Sequence, residues 1–294
     1  MAVRGSTGRE RHSGTVDLAL SAAGWSISFI GCPDVVTDLE AILHGWGLTR
    51  NAGGPPDAAI VKTDRGYGWE SAKRSKPVLW DTRPPETTMN VISDVHDVLF
   101  DWYLADHPDL LCLHAGAVDF GPGLVCFPSV RKAGKSTLGV ALASRGFCSY
   151  CDDVLPVEPH RLVGIAMGIA PLLRKPLPAS LGEDLSAFIA KHAGPSNENR
   201  TYVCLGAEHA APFGRRKPIQ ALVLLDRREA ARASLEPIAK AEMMREVVMQ
   251  NFGARSSPTL VLDSFAKLIE TRNCFRMIFA DVMEAADLLG EQFA

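Results

Sequence analysis

One segment restricts this chain more than any other: "GLVCFPSVRKAGKSTLGVALASRG", residues 123–146. An apolar strand delivers a loop rich in turn residues. An Ala/Leu-rich run then reads as a helix closed by Gly146. Strand, loop and helix in that order, with Gly134-Lys135-Ser136 at the junction, predict a phosphate cradle. In such a loop the backbone N–H groups of Ser129, Arg131, Lys132, Ala133 and Gly134 turn inward, and a helix N-terminus stands behind them. Lys135 would bridge the β- and γ-phosphates of a nucleotide, Ser136 would offer its hydroxyl to Mg²⁺, and Thr137 would reach the α-phosphate. Gly134 lets the backbone approach phosphate without a Cβ.

The match is incomplete at its start. The usual pattern is Gly, four residues, then Gly-Lys-Ser/Thr, and Ser129 stands at the first Gly. Serine is tolerated there if the position needs no positive φ. Arg131 and Lys132 add two cations inside the loop. Direct phosphate contact and a solvated outer edge are both open to them.

A chain of 294 residues suffices for one large α/β domain or a catalytic domain with a smaller companion. The formal net charge of -3 provides no global basic field, so nucleic acid is not an expected partner. No uncharged apolar run approaches the roughly 18 residues of a membrane span. The polar start "MAVRGSTGRERHSG" lacks the apolar stretch of a signal peptide. A reduced, cytoplasmic protein is the expectation. Most of the seven cysteines sit in apolar runs. Cys148 and Cys151 form one C-x-x-C without the second pair that zinc needs, so they read as reduced thiols on or beside a strand.

Periodicity divides the chain. Residues 1–13 read as a disordered tail and 14–107 as a small α/β lobe. In that lobe "TVDLAL" and "WSISFI" pair as strands across "SAAG", and "PDVVTDLEAILHGW" forms a helix stopped near Gly47. "DAAIVK" and "KPVLW" are further strands separated by "RGYG", and "TTMNVISDVHDVLFDWYLADH" is a long helix. Residues 108–294 carry the motif. There "LLCLHAGAVDF", "GLVCFP", "FCSYCDDVLPVE", "RLVGIAMGIA", "RTYVCLG", "QALVLLD" and "CFRMIFA" read as strands. "AKAEMMREVVMQNF", "SPTLVLDSFAKLIE" and "DVMEAADLLGEQF" read as helices.

Phosphoryl transfer needs an acid to orient the attacking hydroxyl. The acidic pair Asp152-Asp153 at the end of "CSYC" supplies candidates. Neighbouring strand residues point to opposite faces, so a continuous strand would aim only one of them at the γ-phosphate, whereas a turn would relax that limit. Asp153 is read as the base and Asp152 as a metal ligand or the partner of His114. Asp226, ending "QALVLLD", mimics a metal-binding strand end but is read as structural.

"LHAGAVDF", the Lys135 loop, "GFCSYCDDVLPVE" and "FRMIFADVMEAADLL" resemble the HPr kinase/phosphorylase superfamily. The likeness is greater to its diverged HPr-kinase-related members, some of them associated with lasso-peptide modification. The resemblance spans roughly residues 108–294. It implies an α/β P-loop kinase domain with a mixed central sheet flanked by helices. Lys135, Ser136 and Thr137 would hold the phosphates and metal, and Asp152 and Asp153 would be the acidic pair. His114 would be the histidine on a strand before the loop, and Arg174 or Lys175 a cation facing the transferring group. The "E-x-R-G" stretch of the bifunctional enzymes is absent from "GIAMGIAPLLRK", so kinase activity alone is expected. The implied reaction is ATP- and Mg²⁺-dependent transfer to a serine of a peptide or small protein. A small-molecule hydroxyl as acceptor, or nucleotide binding without turnover, are the alternatives. The resemblance leaves homo-oligomer assembly open.

Overall fold

Two apolar runs joined by a Gly-containing turn make the first hairpin. β1 (Thr15–Leu20) and β2 (Trp25–Ile30) pair antiparallel, with Thr15 opposite Ile30 and Leu20 opposite Trp25. The computed structural model describes the chain except residues 1–13, 52, 72, 73, 75, 77–79, 81–84, 131 and 252–257. The predicted tail, most of the "KPVLW" strand and Arg131 therefore lie outside the described residues. After the hairpin come α1 (Pro33–Ile42), β3 (Leu48–Arg50), β4 (Ala58–Thr63), β5 (Gly66–Ser71) and α2 (Thr88–Asp106). The sheet order is β3-β1-β2-β4-β5. The segment "RGYG", expected as a separator, instead opens β5. Gly66 at φ +123 supplies the positive φ that lets β4 fold straight back on itself.

The chain divides into two units: residues to Leu39 with Gly47–Val98, and Glu40–Trp46 with Leu99–Ala294. The second carries the Lys135 loop. It runs β6 (Leu111–His114), β7 (Gly116–Asp119), β8 (Leu124–Phe127), α3 (Lys135–Ser144), β9 (Cys148–Cys151), β10 (Val154–Glu158), β11 (Val163–Ile165) and β12 (Leu172–Arg174). Then follow α4 (Gly182–Lys191), β13 (Ala193–Ser196), β14 (Arg200–Val203), β15 (Arg216–Arg227) and β16 (Ser234–Pro237). α5 (Lys240–Met249), α6 (Pro258–Thr271), β17 (Asn273–Phe279) and α7 (Val282–Phe293) complete it.

The architecture is mixed α/β. The main sheet has the order β6-β10-β11-β15-β8-β7-β9, with β17 beside β15 and β16 beside β17. β15 runs parallel to β8 and β17, and the other pairs are antiparallel. β12, β14 and β13 form a small separate sheet.

Both faces of the main sheet are covered, which explains why its central strands are apolar runs rather than alternating ones. Val125, Phe127, Ala221, Val223 and Leu225 pack with Leu138, Leu142, Leu289 and Phe293 of α3 and α7. Their alternates Leu124, Cys126, Leu222 and Leu224 pack with Met243, Val247, Phe265 and Leu268 of α5 and α6. The loop after β8 is thereby delivered from a sheet held on two sides.

Two predicted strands are broken in the structure. "LLCLHAGAVDF" stops at Ala115: β6 pairs β10, whereas β7 pairs β8 and β9. "FCSYCDDVLPVE" breaks at Asp152-Asp153, with β9 on β7 and β10 on β6. An acidic pair is disfavoured inside a ladder buried on both faces, and the chain bends there instead. Cys148 and Cys151 lie in β9 as free thiols, and burial holds the Cys151 thiol well above the ordinary range.

Candidate functional site

The loop following β8 is fastened from within. Ser129 N–H donates to Phe127 O at 2.9 Å, and Ala133 N–H donates to Val130 O at 3.3 Å. These two N–H groups were expected to face phosphate and are instead spent on turns inside the loop. Ser129 takes its place without a positive φ, whereas Lys132 at φ 70 and Gly134 at φ 100 are left-handed. For an L-residue such as Lys132 that conformation costs about 1–2 kcal/mol, so the surrounding contacts must hold it. The Ser129 hydroxyl is buried and accepts the Leu225 N–H of β15 at 2.9 Å.

α3 begins directly behind the loop. Its N-cap is Gly134, which has no side chain to cap the first turn, and no acidic residue occupies that turn. α7 shows the contrast: Asp281 accepts from Met283 N–H and Glu284 N–H. The first turn of α3 therefore offers N–H groups and the positive end of its dipole to an anion. Ser136 and Thr137 sit half-buried on this turn. Lys135 is buried, and its Nζ donates to Ser129 O at 2.6 Å and to Val130 O at 3.3 Å.

The bend between β9 and β10 brings the acidic pair to the same place. A Cβ built on Gly116 would lie 3.5 Å from Lys135 Cβ and 3.6 Å from Asp152 O, so the start of β7 is packed between them. Asp152 Oδ2 accepts the Leu172 N–H at 3.0 Å, while Oδ1 is sealed from solvent without a hydrogen-bond partner among the described residues. Burial pushes this carboxyl from 3.8 up to about 6; the Leu172 N–H and the Ser136 hydroxyl oppose the rise, Asp153 adds to it and Lys135 opposes it. A buried carboxylate oxygen that makes no hydrogen bond of normal geometry, with the Ser136 hydroxyl beside it, suits a cation. Mg²⁺ is commonly held by one or two carboxylates together with substrate phosphates. Among the described residues no cluster of three His, Cys, Asp or Glu side chains is assembled for a protein-only metal site.

The bend frees both carboxylates from the opposite-faces restriction. His114 ends β6 opposite Val154, with its N–H on Gln250 O at 2.7 Å. Its Nε2 lies 2.9 Å from Asp153 Oδ1. The histidine thus pairs with Asp153 and not with Asp152, because the turn after Cys151 carries the second aspartate back over the end of β6.

Two other residues singled out in the sequence hold contacts of their own. Lys175 Nζ donates to Ser196 Oγ at 2.9 Å and Asn197 O at 3.0 Å, so its ammonium serves the turn between β13 and β14, not the Lys135 loop. Asp226 accepts from Arg228 at 2.6 Å and Arg276 at 3.2 Å, and Arg276 also pairs with Glu242. Arg228 first, then Arg276, hold the Asp226 carboxyl below the usual range. Its structural reading fits this network. Leu172 and Gly116 were not anticipated, because one acts through its backbone N–H and the other through lacking a side chain.

No family model matches the chain, and no curated protein matches it. A solved structure of the Hpr(Ser) kinase/phosphatase from Coxiella burnetii is similar at 16% identity, over 61% of this chain and 91% of that one, with a TM-score of 0.30. A likeness at that TM-score assigns no role to any residue here. No described helix is long and apolar enough to cross a membrane.

Proposed function

We propose that this protein is an ATP- and Mg²⁺-dependent kinase acting on a serine hydroxyl of a peptide or small protein, with a lasso-type precursor peptide among the candidate acceptors. The observation that supports this most is the gathering of Lys135, the sealed Asp152 Oδ1 and the His114–Asp153 pair at the head of α3. A bound magnesium nucleotide would supply the phosphoryl group and the charge neutralisation that the transfer requires.

The chain's own residues then have separable tasks. The uncapped first turn of α3, with Thr137, would bind phosphate oxygens. Lys135 would exchange the carbonyls of Ser129 and Val130 for phosphate. Ser136 and Asp152 would hold the metal through oxygen ligands, the donors Mg²⁺ prefers. Asp153, whose side chain is 56% exposed, is reachable by an acceptor and would take the seryl proton. His114 would orient that carboxylate from the buried side.

The test is transfer of labelled γ-phosphate from ATP to candidate peptides by wild type, Lys135→Ala and Asp153→Asn. Transfer by wild type with loss in both variants is the expected result, and full retention in both would overturn it. A metabolite screen for ATP consumption without peptide would reveal a small-molecule acceptor. In the alternative reading nucleotide binds without turnover, Lys135 staying on the carbonyls of Ser129 and Val130 and not reaching the γ-phosphate. It predicts nucleotide-induced thermal stabilisation and no transfer to any acceptor.

A further inference from the structure

Ser129 occupies the position at which the phosphate-loop pattern has glycine, yet its backbone makes no demand for glycine. Its φ is not in the left-handed region, and its side chain is used. The ladder between β8 and β15 ends at Cys126 opposite Leu222. Beyond it, the Leu225 N–H meets the Ser129 hydroxyl where a continuing strand would have offered a carbonyl. The Ser129 main-chain oxygen meanwhile accepts Lys135 Nζ at 2.6 Å. This single residue, 4% exposed, ties the start of the loop to β15 through its side chain and to the loop's lysine through its backbone.

We infer that Ser129 is a positioning residue that preorganises the loop for phosphate, and that restoring the pattern's glycine weakens nucleotide binding in this chain. The inference rests on the nucleotide-binding reading above. Glycine would delete the anchor and widen the backbone freedom of a loop that already holds a left-handed Lys132. Apparent affinity falls in proportion to the fraction of molecules whose loop is competent to bind. The Leu225 N–H would also lose its acceptor.

The test compares Mg²⁺-dependent binding of a non-hydrolysable ATP analogue to wild type, S129G, S129A and S129T, at a temperature where circular dichroism shows all four folded. S129G and S129A are expected to bind about fivefold more weakly, and S129T, which keeps the hydroxyl, within about twofold of wild type. A purely structural serine would lower the thermal midpoint of S129G and leave affinity unchanged, which would overturn the inference. So would S129T binding as weakly as S129A. Absence of binding by wild type would overturn the nucleotide reading and this inference together. Hydrogen exchange without nucleotide gives an independent measurement: S129G should exchange faster in the loop and at Leu225, and unchanged exchange would overturn the anchor.

Discussion

His114 Nε2 lies 2.9 Å from Asp153 Oδ1, joining a side chain 3% exposed to one 56% exposed. The buried partner can fix the carboxylate's direction while the exposed one meets an acceptor. If Asp153 is the base, Asp153→Asn should lower kcat by about a hundredfold, with little change in KM for ATP. His114→Ala should lower kcat by about tenfold through lost orientation. Steady-state kinetics on an identified acceptor peptide measures both. An unchanged kcat in His114→Ala would remove the histidine from the mechanism.

Asp152 makes stability depend on pH in an identifiable direction. Its carboxyl sits near 6 in the folded protein against an ordinary 3.8, so the folded state holds the proton more tightly. The associated stability is full below about pH 3.8 and is lost as pH rises through about 6. Asp152→Asn keeps an acceptor for the Leu172 N–H and removes the charge. It should melt about 4 °C above wild type at pH 7.5, with the gap shrinking as pH falls toward 4. Equal gaps at both pH values would show that burial of this charge is not what costs stability.

The same carboxyl should govern metal-dependent binding. A protonated Asp152 is a poor ligand, so affinity for a magnesium nucleotide should weaken as pH falls below about 6. Asp152→Asn should bind more weakly at neutral pH and lack that dependence. Titration calorimetry at pH 5 and pH 7.5 measures the difference.

Asp226 should separate stability from activity. Arg228 and Arg276 hold its carboxyl below the ordinary 3.8. The stability this provides is present above that value and is lost as pH falls through the folded one. Asp226→Asn should therefore melt below wild type at pH 7, with the difference narrowing in acid, and transfer per folded molecule should be retained. Lost transfer with an unchanged melting temperature would make Asp226 a functional carboxylate.

Much of the second unit was legible because local pattern decides it. Apolar runs mark strands covered on both faces, and the Ala/Leu-rich segment after Gly134 forms α3 as expected. What escaped were elements with weak patterns, such as β12, β13 and β16, and α4, whose "GEDLSAFIAK" buries Leu185 and Ile189. The breaks at Ala115 and Asp152-Asp153 were not resolved either, since a change of strand partner leaves no mark in periodicity.

By itself the sequence determined the order strand, loop, helix, the glycine at Gly134 and the identity of the acidic pair. These follow from backbone sterics and from residue chemistry along a short stretch. Only the tertiary structure decided that His114 meets Asp153, that Asp152 has one oxygen sealed from solvent, that Lys175 serves another turn, and that Ser129 is anchored to Leu225. Each of those pairings joins segments distant in sequence across a sheet or a bend. Burial and hydrogen-bond satisfaction exist only once those segments are packed together.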